Sequence, residues 1–174
     1  MSIVKCKKIY TKGIYGSLPP GPNDPPGIQF NPDGTVTKPF NQVFYGWRDT
    51  GVEAWENFGT TPVTYIYNIA RINDGSYYNT GTGVYTCNNG GVYLIHAGFL
   101  GSQLGSYTSL FVYKNNINVT AAGIHANVGN YWTVNSQVFA IQCNTNDQLT
   151  IKILTGDATV YGREHSHLAI WFYG

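Results

Sequence analysis

Short stretches in which apolar and polar residues alternate, separated by glycine and asparagine, fill the chain from about residue 41 onwards. Alternation with a period of two places successive side chains on opposite faces of a β-strand, and no long stretch has the period of a helix. The pattern therefore predicts an all-β domain with strands over residues 42–47, 62–68, 84–87, 91–99, 108–113, 117–122, 136–143, 148–154 and 166–173.

Asparagine and glycine mark the predicted turns between these strands, because both residues accept a positive φ at low cost. The clearest turn is Asn88-Asn89-Gly90-Gly91, and others are predicted at 73–75, 114–116 and 144–147. The segments 49–61, 100–108, 123–133 and 156–165 are predicted as longer loops.

Composition narrows the classes of function. The chain has 174 residues, 14 of them tyrosine, and only 11% are charged, with a formal net charge of +1. A nucleic-acid partner would need a basic surplus, which is absent. No run approaches the ~20 apolar residues of a membrane span, and residues 1–10 lack the apolar core of a secretion signal. We expect no nucleic acid, no membrane insertion and no signal peptide.

Residues 1–40 differ from the rest of the chain. They contain five of the ten basic residues, four of them at positions 5, 7, 8 and 12, and six of the eight prolines lie between Pro19 and Pro32. Proline-rich sequence favours an extended polyproline-type arm. We predict an arm over 1–40 and a folded domain over 41–174. The arm is either a flexible linker or an attachment segment that docks on a larger particle.

The segment from Tyr78 to His96 resembles the globular head of complement component 1q, a branch of the tumour-necrosis-factor-like jelly rolls. It matches that family's Y-N-x-x-T-G-x-F-T-C-x-x-x-G-x-Y-x-F pattern at Tyr78, Asn79, Thr82, Gly83, Thr86, Cys87, Gly91 and Tyr93. Residues 109–116 and 166–174 are similar to two further family segments. The resemblance implies a ten-stranded, two-sheet jelly-roll sandwich that forms homotrimers.

The closing strand supports a partner on one outer face of the sandwich. Leu168, Ile170 and Phe172 share one face, and the other carries Ala169, Trp171 and Tyr173, so neither face suits exposure to water. We predict that one face packs against neighbouring subunits. The alternative is an ordinary two-sheet core with tyrosines at its rim.

Loop order predicts where recognition occurs. Alternate connections fall at the same end of the sandwich, so the turns at 88–90, 114–116 and 144–147 should share one end with the C terminus. The longer, aromatic loops lie at the other end, and long loops on a rigid scaffold commonly carry function. We predict a ligand-binding surface there, formed by Tyr107, Asn130, Tyr131, Trp132, Tyr161 and Arg163.

No catalytic motif is present, and we expect neither an enzyme nor a bound cofactor. His165 and His167 would point the same way on a strand, but two histidines make an incomplete metal site. Asp147 and Asp157 are equally weak candidates for calcium. Cys87 is expected to be a buried thiol, and it could pair with Cys143 if their strands are neighbours.

These expectations combine into one functional hypothesis: a non-enzymatic trimeric recognition or adhesion module on a virion, as a spike, fibre tip or decoration protein, or on a cell surface. Its ligand would be a host glycan or a protein receptor. Two alternatives remain open. One is a capsid or coat protein whose role is assembly, and the other is a secreted cytokine-like or complement-like ligand.

Overall fold

The computed structural model describes residues 29–30, 36–37, 42–50, 55–102, 106–119, 124–128, 133–156 and 159–173. The chain divides into two compact units, Met1–Asn41 and Gln42–Gly174. In the first unit the described residues form one antiparallel pair, β1 (Gln29–Phe30) with β2 (Val36–Thr37). The proline-rich stretch 18–27 and the basic residues of the predicted arm lie outside the described residues. No helix in the described ranges has the length and hydrophobicity to span a membrane.

The described part of the second unit is built from antiparallel strands. In chain order these are β3 (Val43–Arg48), β4 (Trp55–Glu56), β5 (Val63–Thr64), β6 (Ile69–Asn73), β7 (Tyr78–Asn79), β8 (Val84–Thr86), β9 (Gly91–Ser102), β10 (Ser106–Lys114), β11 (Ile117–Asn118), β12 (Ile124–Val128), β13 (Thr133–Cys143), β14 (Gln148–Leu154), β15 (Thr159–Tyr161) and β16 (Arg163–Phe172). A 3-10 turn, Asp74–Ser76, occupies the predicted turn at 73–75.

These strands form two sheets. Sheet I has the order β11-β10-β14-β8-β7, with β12 also paired to β10 and β5 to β14. Sheet II has the order β4-β15-β9-β16-β3-β6, with β13 also paired to β9. Neighbours within a sheet are mostly far apart in sequence, as in a jelly roll. The predicted two-sheet sandwich is therefore confirmed. The described strands of the second unit number fourteen, more than the predicted ten, and six of them have only two or three residues.

Aromatic residues dominate the core between the sheets. Along β9 the alternation is clear, since Tyr93, Ile95 and Phe99 are fully buried. Burying one side chain of this kind contributes about 1.5–3 kcal/mol to the free energy of folding. Buried tyrosines still need a polar partner for the hydroxyl, and the Tyr93 hydroxyl donates a hydrogen bond to Gln42 Oε1 at 2.7 Å.

The predicted strand over 62–68 is wrong for most of its length. Only Val63–Thr64 pairs as a strand, on β14, and the chain then crosses to sheet II, where β6 begins at Ile69. The alternation has a different cause, because Tyr65 and Tyr67 are both fully buried between the sheets. The side chains in this segment alternate between buried and less buried positions, although most of its residues are not paired in a β-ladder.

All four segments predicted as loops contain strand residues. Ile124–Val128 pairs with the start of β10, whereas strand in the predicted 117–122 segment is limited to Ile117–Asn118 among the described residues. Tyr107 consequently lies on β10, Tyr161 on β15, and Arg163 begins β16. The physical reason is that β9 and β10 extend beyond their apolar stretches, and backbone pairing continues on polar residues.

Candidate functional site

Three turns and the last strand meet at one end of the sandwich, which we call the terminal end. The backbone amide of Asn115 donates to the carbonyl oxygen of Gln148, and that of Cys87 to Asp147, both at 2.8 Å. The last strand ends here too, where the amide of Tyr173 is hydrogen-bonded to β9. The predicted sharing of one end by these turns and the C terminus is confirmed.

Asp147 organises the terminal end. Its Oδ2 accepts from the amide of Asn144 at 2.8 Å, and its Oδ1 accepts from Asn115 Nδ2 at 2.7 Å. These hydrogen bonds, the Asn144 bond first, lower the pKa of the Asp147 carboxyl. Both oxygens therefore have partners within the chain. Asp157, the other residue considered for calcium, lies outside the described residues.

The opposite end, which we call the distal end, carries an aromatic cluster on sheet II. Trp55 pairs in register with Tyr161, with ring centroids 5.0 Å apart, and His165 lies 5.3 Å from the Tyr161 ring. Arg163 has a φ of +58°, and the Ser166 hydroxyl donates to the Tyr161 carbonyl at 2.7 Å. The structure thus groups two predicted site residues, Tyr161 and Arg163, with His165.

Trp55 is the member of this cluster that the prediction omitted. The sequence placed it in a loop, and only the pairing of β4 with β15 brings it to Tyr161. Two short strands separated by about a hundred residues leave no periodic signal that would indicate their pairing.

A half-buried ion pair supports the cluster. Arg48 Nε and Nη2 each lie 2.6 Å from a carboxylate oxygen of Glu56, a bidentate geometry, and Nη1 donates to the Ile66 carbonyl at 3.2 Å. The guanidinium also lies 5.3 Å from the Tyr65 ring and 5.5 Å from Phe58. The hydrogen bond to Glu56 is the main cause of the raised pKa of Arg48. These contacts fix β4 against β3.

Tyr107, another predicted site residue, lies on β10 of sheet I. Tyr107 is 52% exposed, and Gly156, in the left-handed region with a φ of +53°, lies against it. Asn130, Tyr131 and Trp132 lie outside the described residues, so their part in the site stays a prediction.

The side of sheet II that faces away from sheet I forms a second candidate surface. Strand register aligns its side chains in three rows across β6, β3, β16, β9 and β13. We call this surface the outward face, and its rows contain Val43, Trp171, Leu94 and Ala140; Ile72, Tyr45, Ala169, His96 and Val138; and Ile69, Trp47, His167, Gly98 and Ser136.

The outward face is apolar and carries no acidic or basic side chain except its two histidines. Val138 is 54% exposed, Ile72 41% and Tyr45 40% in the single chain. A contiguous apolar patch of this kind on a soluble protein typically marks an interface. The predicted division of the last strand holds, since Leu168 and Ile170 are buried in the core, whereas Ala169 and Trp171 are on the outward face.

Two histidines lie side by side in the middle of the outward face. The rings of His96 and His167 are 4.7 Å apart, and a side chain at Gly98 would collide with the His167 ring. Nε2 of His167 is buried without a hydrogen-bond partner among the described residues. Burial, and secondarily the charge of His96, lower the pKa of His167. No three potential metal-ligating side chains come together in the described ranges.

The lowered pKa of His167 predicts acid sensitivity. The unfolded chain binds a proton near the ordinary histidine pKa of about 6.5, whereas the folded chain binds it only at lower pH. Stability is therefore full above about pH 6.5 and falls as the pH drops towards the folded pKa. Urea unfolding at several pH values should show this loss, and His167→Gln should reduce it. An unchanged pH profile in the variant would contradict this prediction.

The sequence matches no protein-family model and no curated protein. Solved structures do match. The globular domain of zebrafish complement 1qA has a TM-score of 0.56 at 14% identity, over 77% of this chain and 98% of that one. Eiger TNF from S. frugiperda has a TM-score of 0.57 at 15% identity, over 77% and 93%. Murine APRIL has a TM-score of 0.56 at 12% identity, over 75% and 98%. The likeness is one of fold, and the second unit is a jelly-roll domain of the complement 1q and tumour-necrosis-factor type, as the Tyr78–His96 motif predicted.

Proposed function

We propose that this protein is a non-enzymatic homotrimeric recognition module. The outward face of sheet II packs against two further copies of the chain, and the distal end binds the ligand. The observation that carries the proposal is the uncharged apolar outward face, which leaves the aromatic cluster at one edge of the assembly.

A second copy of the chain fits the outward face better than a charged partner does. The three rows offer aromatic, aliphatic and imidazole groups, and they offer no ion to pair with. Interfaces between copies of one chain are more apolar than other interfaces, with charged residues depleted at their centre. The resemblance to complement 1q heads supports three as the number of copies.

The distal end suits a glycan or a protein hot spot. Trp55 and Tyr161 offer aromatic surface, and Arg163 is a cation two residues after Tyr161 in the chain. Aromatic rings and arginine are the side chains most enriched in binding hot spots. Each of the three clusters on a trimer binds the ligand weakly by itself, and the three together bind more tightly through avidity.

We place the trimer on an outer surface, as a virion spike, fibre tip or decoration protein or as a cell-surface adhesin, with residues 1–40 attaching it to the larger particle. The alternatives are a coat protein that only assembles and a secreted cytokine-like or complement-like ligand. Assembly of the purified chain into shells would favour the coat protein. Binding to one cell-surface protein and to no glycan would favour the secreted ligand.

The binding test uses the intact protein on a glycan array and on cells. We expect Trp55→Ala with Tyr161→Ala to weaken binding at least tenfold, because stacking surface is lost from each of three sites. Tyr131→Ala with Trp132→Ala tests the predicted residues outside the described ranges. Tyr113→Ala is the matched aromatic control, since its ring covers Lys152 on sheet I. Equal binding by all variants would place the site elsewhere.

A further inference from the structure

Two buried thiols face each other across the sandwich at the terminal end. Cys87 follows β8 in sheet I, and Cys143 ends β13 in sheet II. Both are essentially inaccessible, at 0% and 1% exposure, and neither is in a disulfide. Both side chains belong to the same buried core cluster, and the turn that follows Cys143 is hydrogen-bonded to the Cys87 backbone. A disulfide requires Cα atoms within about 7 Å, so it joins cysteines on neighbouring backbone segments such as these.

The backbones that carry the two thiols are held firmly. The Cys87 amide donates to Asp147 O at 2.8 Å, and its carbonyl accepts from the Asn146 amide at 2.7 Å. Cys143 is in register with Gly91 at the end of the β9–β13 ladder. The positions of the two cysteines are therefore set by hydrogen-bonded backbone in both sheets and not by an unpaired loop.

The electrostatic surroundings distinguish the two sulfurs. The hydrogen bond from Cys87 lowers the pKa of Cys143, and the positive charge of Lys114 acts in the same direction. Lys114 is held nearby, since its Nζ donates to the Gln142 carbonyl at 3.0 Å. The hydrogen bond to Cys143 and burial raise the pKa of Cys87. Cys143 is therefore the sulfur that ionises first and attacks an oxidant.

We propose that Cys87 and Cys143 are a dithiol that oxidises to a disulfide joining sheet I to sheet II. A buried thiol needs an oxidant about the size of water, and hydrogen peroxide meets this condition. The Cys143 thiolate attacks one peroxide oxygen, the O–O bond breaks, and hydroxide leaves and is protonated to water. The resulting sulfenic acid is attacked by the Cys87 sulfur, which gives up its proton, and a second water leaves. Two thiols lose two electrons and two protons, and peroxide is reduced to two waters.

The disulfide would close a loop of more than fifty residues and restrain the unfolded chain. It would also join the sheets at the end opposite the proposed ligand site. Oxidation therefore stabilises the domain without changing the distal end. The inference stands independently of the proposed function, because it needs only the sandwich.

The test uses the full chain carrying Cys6→Ser, so that Cys87 and Cys143 are its only cysteines. We expect hydrogen peroxide to remove both thiols from alkylation in denaturant, and peptide mapping to find one cross-linked pair, 87 with 143. The melting temperature should rise by about 5–15 °C and return to its starting value after reduction. Thiols that stay alkylatable, or a sulfinic acid without a cross-link, would overturn the proposal.

Cys87→Ala in the same background is the matched control and should give no cross-link and no rise in melting temperature. A cross-linked dimer formed through Cys143 in this control would count against a pair confined to one chain. Should the variant fail to fold, peptide mapping of the Cys6→Ser protein alone decides, because it locates the bond directly.

Discussion

Replacing Val138 by aspartate is expected to convert the trimer into folded single chains. Val138 ends the middle row of the outward face, beside His96, and more than half of its side chain is exposed in one chain. The substitution therefore leaves the core untouched. In the trimer the new carboxylate would be desolvated with only an imidazole beside it and no lysine or arginine to pair with, which costs several kcal/mol, and symmetry repeats that cost in each copy.

Sedimentation velocity at micromolar concentration measures this result, and circular dichroism checks that the strands remain. The matched control is Ile117→Asp, an equally drastic change at a residue 69% exposed on β11 of sheet I. We expect the control to stay trimeric. If both variants sediment as trimers, the outward face is not the interface. If both dissociate, the interface extends over sheet I, which the account does not predict.

Removing the ring of Tyr67 should have the largest effect on the stability of one chain. Tyr67 is fully buried, and its ring packs edge-on against Tyr65 with centroids 5.1 Å apart. Tyr67→Ala leaves a cavity of aromatic size, and we expect a loss of about 3–5 kcal/mol in the free energy of unfolding. Urea titration followed by tryptophan fluorescence measures it.

Two phenylalanine variants test the same region with opposite expectations. The Tyr67 hydroxyl is buried without a hydrogen-bond partner among the described residues, so Tyr67→Phe should be neutral or stabilise by up to about 1 kcal/mol. The Tyr78 hydroxyl accepts a hydrogen bond from the Tyr67 amide at 2.9 Å. Tyr78→Phe leaves that buried amide unpaired and should cost about 1–3 kcal/mol. Equal effects of the two variants would contradict this assignment.

The sequence predicted the sandwich where residues alternate over a long stretch, as in Gly91–Phe99, because a half-buried strand imposes that period. It failed at residues 62–68, where alternating burial accompanies a crossing between sheets. The strand Ile124–Val128 was also missed, since its pairing with β10 is long-range. The local pattern of apolar and polar residues indicates which side chains are buried. It does not indicate which strands pair with each other.

The candidate site was predicted in part for the same reason. Loop order predicted Tyr161 and Arg163 at the distal end, and their part in ligand binding stays a prediction. Trp55 joins them only through a two-residue strand, and the contact between Cys87 and Cys143 depends on how two sheets stack. The neighbouring positions of His96 and His167 follow from the register of β9 with β16. None of these contacts can be predicted from the local sequence pattern.

We expect two further copies to cover the outward face of sheet II. Light scattering coupled to size exclusion, on the unmodified protein at micromolar concentration, measures this assembly. The expected mass is three times the 19.2 kDa chain. A mass of one chain under those conditions would contradict it.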